Sequence, residues 1–157
     1  MKSAAIRPLS EARSNLPKVS VRNLQRKIRL DVTGLSRFAA RAAVAAAALK
    51  PKRGSGAQYL DEIFVLLVSD RRIADLHQRF MNQPGPTDII TFQHGEIFIS
   101  VPTAQRQARE FGTSTIREIQ LYIAHGLLHL RGFDDGNATQ RAEMRSAEKA
   151  VLRRVAV

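Results

Sequence analysis

Two histidines four residues apart, His125 and His129, sit in the run HGLLHLRGFDD at 125–135. On a helix that spacing puts both imidazoles on one face, where their ring nitrogens can converge on one metal ion about 2.0–2.1 Å away. The chain has no cysteine, so disulfides and thiolate sites are excluded, and a transition metal must be held by imidazole and carboxylate. Gly126 lies between the histidines. Glycine inside a helix costs about 0.8–1 kcal/mol relative to alanine, so this position needs space, for close packing or for substrate. A left-handed Gly132 would end the helix and turn the chain back, letting a residue just beyond supply a third ligand.

The layout H-x3-H-x2-G-x2-[H/D] has the spacing of the long zinc-protease motif, and its third-ligand position here is Asp135. Carboxylate oxygen binds zinc at about 2.0–2.2 Å, which preserves a three-ligand site with a fourth position open to water. Its negative charge should make that water less acidic than three neutral imidazoles would. Asp134 is the alternative third ligand. Zinc proteases of this spacing carry a glutamate directly after the first histidine, and Gly126 stands there instead, which disfavours peptide hydrolysis by that route. The competing reading of the pair is two ordinary helix histidines with hydrogen-bond partners. His94 reads as an exposed turn residue and His77 as an exposed helix residue.

The elements that must position this run follow from periodicity. Lys18 to Gln25 alternates as a first strand, and the alanine-rich stretch Val32 to Leu49 predicts a helix closed by the breakers Pro51 to Gly56. Glu62 to Val68 reads as a buried strand, followed by a helix capped by Asp70 with Ile73, Leu76 and Phe80 on one face. Ile89 to Phe92 and Glu96 to Ser100, separated by Gln93-His94-Gly95, read as a hairpin. Pro102 to Glu110 is helical and stops at Gly112. Thr115 and Glu118 form a capping-box pair for the histidine helix, whose apolar face is Ile116, Ile119, Ile123, Leu127 and Leu130. Asn137 caps a last helix with Met144, Ala147 and Val151 inward and Arg141, Arg145 and Lys149 outward. The expectation is an α+β single domain, a mixed sheet of about four strands packed with about five helices, the histidine helix central. Residues 1–17 read as a flexible basic extension and 18–157 as the metal-dependent hydrolase domain.

The 157 residues carry a net charge of +11, and residues 1–53 hold thirteen Lys and Arg against only Glu11 and Asp31. Beyond them, acidic and basic side chains balance. Such a one-sided field attracts polyanions such as RNA by releasing their counterions, with Arg22, Arg26, Lys27 and Arg29 as candidate contacts; the plainer reading is a solvated face. No apolar secretory core opens the chain, and the alanine run is too short and too interrupted by arginine to span a bilayer, so a cytoplasmic protein without a membrane partner is expected.

Two blocks together carry a resemblance. HGLLHLRGFDD is similar to the signature H-G-x-L-H-L-x-G-Y-D-H of the YbeY endoribonucleases, the metal-dependent rRNA maturation factors of bacteria, and differs at Phe133 and Asp135. Pro86 to Phe92 and Gly95 to Ser100 resemble that family's P-T-D-V-L-S-F and G-D-I-x-I-S segments. The resemblance implies one zinc ion on His125, His129 and Asp135, and cleavage of single-stranded RNA. It also implies a role in small-subunit rRNA 3′-end maturation and ribosome quality control, with rRNA and the small ribosomal subunit as partners. The family usually has an arginine about five residues before the motif proline that meets phosphate. Here that position is Met81, with Arg79 or Arg131 as substitutes. Asp88 and Glu96 are candidate proton-transfer groups, each equally a cap or turn carboxylate. The rival functions are a non-catalytic ribosome-assembly factor that binds RNA and a metalloprotease of unusual type.

Overall fold

The computed structural model describes residues 16–50 and 60–156. Four strands, β1 (Lys18–Asn23), β2 (Glu62–Val68), β3 (Ile89–Phe92) and β4 (Glu96–Ser100), form one mixed sheet in the order β1-β2-β4-β3. β1, β2 and β4 run parallel, and β3 returns antiparallel on β4 as the hairpin partner, with Ile89 opposite Ile99 and Thr91 opposite Ile97. Five helices accompany it: α1 (Val32–Ala47), α2 (Asp70–Met81), α3 (Val101–Phe111), α4 (Thr115–Leu130) and α5 (Ala138–Val155). Among the described residues, no helix is long and apolar enough to cross a membrane.

Alternation along the strands assigns the two faces. Val21, Ile63, Val65, Leu67, Ile97 and Ile99 join the main core with α1, α4 and α5, while Ile90 and Phe98 point the other way to pack with Ile73 of α2. The alanines of α1 matter here. Ala39, Ala42, Ala43, Ala45 and Ala46 are all buried, and side chains this small let α1 settle close against β1, α4 and α5. The core's largest buried members in α4 are Ile119, Ile123, Leu128 and Leu130, so the histidine helix lies in the middle of the domain.

Several boundaries differ from expectation for local reasons. β1 ends at Asn23, because the Asn23 side chain accepts hydrogen bonds from the backbone and side-chain amides of Gln25. The Gln25 side chain in turn brackets the backbone of Ile28, turning the chain away from the sheet. α1 stops at Ala47, two residues short of Leu49. Ser69, not Asp70, caps α2, and Ser114, not Thr115, caps α4, each accepting from the backbone N–H three residues on. Glu118 instead accepts from the Thr113 hydroxyl. Asn137 caps α5 as expected, with Met144, Ala147 and Val151 buried. The expected flexible extension and the breakers Pro51 to Gly56 lie, but for Leu16 and Pro17, outside the described residues.

Candidate metal centre

The site forms where α4 ends. Gly132 takes φ +87°, its N–H donates to the His129 carbonyl, and the N–H of Phe133 reaches back to the Leu128 carbonyl. This pair of bonds is the Schellman closure, which needs a left-handed residue and is anchored by an apolar contact across the turn. Phe133 is buried and Leu128 fully so. The chain therefore doubles back beside the helix, and Asp135 arrives over the histidines.

Nε2 of His125 and Nε2 of His129 are 2.9 Å apart, and Oδ2 of Asp135 lies 3.3 Å and 3.7 Å from them. Ligand atoms around a tetrahedral zinc stand about 3.3 Å apart, and a point about 1.9 Å from each of these three atoms exists between them. The donor set, two imidazoles and a carboxylate, fits zinc and similar divalent ions, and it is the group of convergent acidic and imidazole side chains found among the described residues. Asp134 approaches only Nδ1 of His129, at 3.9 Å, and is 70% exposed.

The surrounding cleft, of about 500 Å³, runs between edge strand β3 and the helices α4 and α5. Asp88, Thr91, Tyr122, Glu148 and Met81 line it beside the three convergent residues. Glu148 accepts a hydrogen bond from Nδ1 of His125 at 2.6 Å. Burial pulls the His125 pKa down, but the Glu148 hydrogen bond and charge, with Asp135 and Asp88 behind them, outweigh it and hold the imidazole above its ordinary value. His129 goes the other way, lowered by burial and by the neighbouring His125. Burial, with the charges of Asp88 and Glu118, raises the Tyr122 phenol, so its hydroxyl stays protonated. The hydroxyl of Thr91 is buried against the cleft with no partner among the described residues.

A family model described as Endoribonuclease YbeY matches residues 20–156. The chain belongs to the YbeY endoribonuclease family. A relative named Endoribonuclease YbeY from Thermobifida fusca is 37% identical over 110 residues, covering 59% of this chain and 71% of the relative. Another of that name from Nautilia profundicola is 36% identical over 102 residues, covering 60% and 72%. A solution structure of a protein from Thermotoga maritima superposes with a TM-score of 0.60 at 24% identity, covering 87% of this chain and 88% of that one, and so shares the fold.

Within this family frame the remaining sequence candidates separate. Met81, at the position where the resemblance implies an arginine, lines the cleft, whereas Arg79 is exposed on α2 and does not. Arg131 is a correction: its guanidinium donates to the Ala47 and Leu49 carbonyls at 3.4 Å and 3.0 Å, tying the end of α4 to the end of α1, and burial lowers its pKa. Glu96 is a second correction. Its place in the β4 alternation puts it on the α2 face of the sheet, paired with His94 in a separate cleft that Arg22 also lines. His94 is exposed and stacks on Phe92. His77 is half-buried rather than exposed, its Nδ1 bonded to the Gly85 carbonyl. Arg26, Lys27 and Arg29 are exposed in the segment between β1 and α1, apart from the histidine cleft. Glu148 went unread in the sequence. The signal was present, since it directly follows Ala147 on the inward edge of α5, where a carboxylate needs a partner.

Proposed function

We propose that this chain is a zinc-dependent endoribonuclease that cleaves single-stranded RNA in small-subunit rRNA 3′-end maturation and ribosome quality control, working in the cytoplasm. The observation that carries the reading is the convergence of His125 Nε2, His129 Nε2 and Asp135 Oδ2 inside a cleft of a YbeY-family chain. These three residues would hold the zinc. Bound there, the ion supplies Lewis-acid polarisation of a phosphoryl oxygen and a water acidic enough to ionise near neutral pH.

The protein's own groups do the rest. Glu148 accepts the Nδ1 proton of His125, which fixes the tautomer whose Nε2 lone pair faces the cleft. Asp88 lines the opposite wall. Its Oδ1 is held by the Ile89 backbone N–H and by the Thr87 hydroxyl, so the carboxylate is fixed in place as the proton acceptor for the attacking oxygen. Ile89, Leu121 and Met81 give the cleft apolar walls suited to a base or ribose.

Two variants of the ligand set test the reading. Asp135→Ala should lose bound zinc while Asp134→Ala keeps it, by elemental analysis of the purified proteins, and Asp135→His should retain the metal. Cleavage of single-stranded rRNA fragments should disappear in His125→Ala and His129→Ala; cleavage surviving both changes would sink the nuclease reading. A non-catalytic RNA-binding role is favoured by one observation, the apolar Met81 where the family usually has a cation. It predicts RNA binding without turnover by zinc-loaded protein. The protease alternative is disfavoured by packing as well as by sequence, because a side chain at Gly126 would run into Ile97.

A further inference from the structure

A second cleft, of about 490 Å³, opens among α1, α4 and α5 at the start of α4. Arg37 and Arg41 of α1 and Arg117 of α4 line it together, with Phe38, Leu152 and Val155 as its apolar part, and no acidic side chain takes part in the lining. All three arginines are exposed, and among the described residues no carboxylate pairs with the guanidinium of Arg37 or Arg117. The guanidinium groups of Arg37 and Arg117, gathered in one concavity without a carboxylate between them, favour an anion that joins them. Arg117 also stands in the first turn of its helix, where the macrodipole already favours negative charge and disfavours a cation.

We infer that this cleft is a second RNA-binding site, an anchor for phosphates of the single strand whose scissile bond lies in the histidine cleft. The inference rests on the endoribonuclease reading above. Guanidinium forks match phosphate oxygens, and an apolar floor beside them accepts the ribose or the face of a base, a pairing that recurs in single-strand binding. α4 is continuous between the two clefts: Gln120 lines one and Leu121 the other, and Arg117 precedes His125 by eight residues, about 12 Å along the axis. A strand of a few nucleotides covers that distance. α1 also belongs to the first third of the chain, where all the net charge lies. An acidic protein segment is the other polyanion such a surface could hold. The floor of Phe38, Leu152 and Val155, which accepts a ribose or the face of a base, favours the nucleic acid.

The test measures binding and cleavage by the full zinc-loaded chain and by Arg37→Ala/Arg117→Ala, with Arg72→Ala/Arg109→Ala as a control that removes the same charge from α2 and α3. The probes are a 2′-O-methyl RNA of about sixteen nucleotides, with its length checked on a gel after the binding measurement, and unmodified RNAs of about four and about sixteen nucleotides. The α1–α4 variant should bind the long RNA more weakly, with a log K against log salt slope shallower by about 1.4, while cleavage of the short RNA is unchanged. The control should match wild type. Equal binding and slope in wild type and the α1–α4 variant overturn the proposal, as does a control that loses as much. Polyglutamate that binds wild type and is lost by the α1–α4 variant, when long RNA is not, overturns it in favour of an acidic partner. A wild-type chain that neither binds nor cleaves RNA overturns the endoribonuclease reading with it, whereas normal cleavage with an indifferent α1–α4 variant overturns this inference alone.

Discussion

Oε1 of Glu148 and Nδ1 of His125, 23 residues apart in the chain, meet at 2.6 Å across the packing of α5 on α4. The carboxylate is 14% exposed and the imidazole 20%, so the bond is made largely out of water. A carboxylate behind a metal-binding histidine fixes ring orientation and raises ligand basicity, and its loss typically costs 10–100-fold in metal affinity. Glu148→Gln keeps the volume and an acceptor oxygen but removes the charge. Its zinc affinity should fall by roughly 10–100-fold, read by competition with a chromogenic chelator, while far-UV circular dichroism stays the same. Wild-type affinity in this variant would show that Glu148 only packs.

Asp70 governs acid stability at the junction of α2 and α3. It accepts from the Ser100 hydroxyl at 2.7 Å, the Thr103 hydroxyl at 2.8 Å and the Arg106 guanidinium at 2.8 Å. Burial pushes its pKa up, and the bonds from Arg106, Ser100 and Thr103 outweigh it and hold it at about 2, below the ordinary 3.8. A depressed carboxylate stabilises the fold fully above its unfolded pKa and loses that contribution as pH falls through the folded value. Asp70→Asn should therefore be less stable than wild type at pH 7, by about 1 kcal/mol once solvent screening of this partly exposed pair is allowed for, and the gap should close between about pH 4 and pH 2. Denaturant melts across that range measure it.

How far the sequence could be read depended on whether a feature was local. The Schellman turn at Gly132 and the His125–His129 pair depend on a few consecutive residues, so their spacing is sufficient to place them. The sheet face of Glu96 follows equally from alternation, since it shares parity with Phe98 and not with Ile97 and Ile99. Arg131 differs, because its partners are distant in sequence. It neighbours the motif, but the free carbonyls at the end of α1 capture it, and only the packing of α1 on α4 brings them within reach. Glu148 and the arginine cleft depend on helix pairs far apart in sequence, where periodicity says which face is inward but not which residues meet.

Gly126 shows what that packing demands. A Cβ built there would lie 2.8 Å from Cγ2 and 2.9 Å from Cδ1 of Ile97, a fully buried residue of β4. Alanine gains about 1 kcal/mol of helix propensity, and overpacking a filled core costs about 1–3 kcal/mol, so the clash outweighs the gain. Gly126→Ala should melt lower than wild type and bind zinc more weakly, because α4 must move off the sheet and carry the histidines with it. Ile97→Ala removes both offending atoms. The double variant should accordingly lose less stability than the two single losses added together, a coupling that a double-mutant cycle of thermal melts reads directly.

Met81 offers a gain-of-function test at the cleft itself. The last residue of α2, it is 48% exposed and lines the same wall as Asp88 and Ile89, so a longer side chain has room. The resemblance to the YbeY signature leads one to expect an arginine here, and a thioether offers a phosphate neither charge nor hydrogen-bond donor. Met81→Arg should bind single-stranded RNA more tightly at low salt, with a log K against log salt slope steeper by about 0.7, the increment of one added phosphate contact. If the added cation meets the phosphate at the scissile position, cleavage accelerates as well; if it meets a flanking phosphate, affinity rises and the maximal rate stays. An affinity and slope equal to wild type would show that the strand does not pass this wall, and would place the RNA path along α4 and α5 instead.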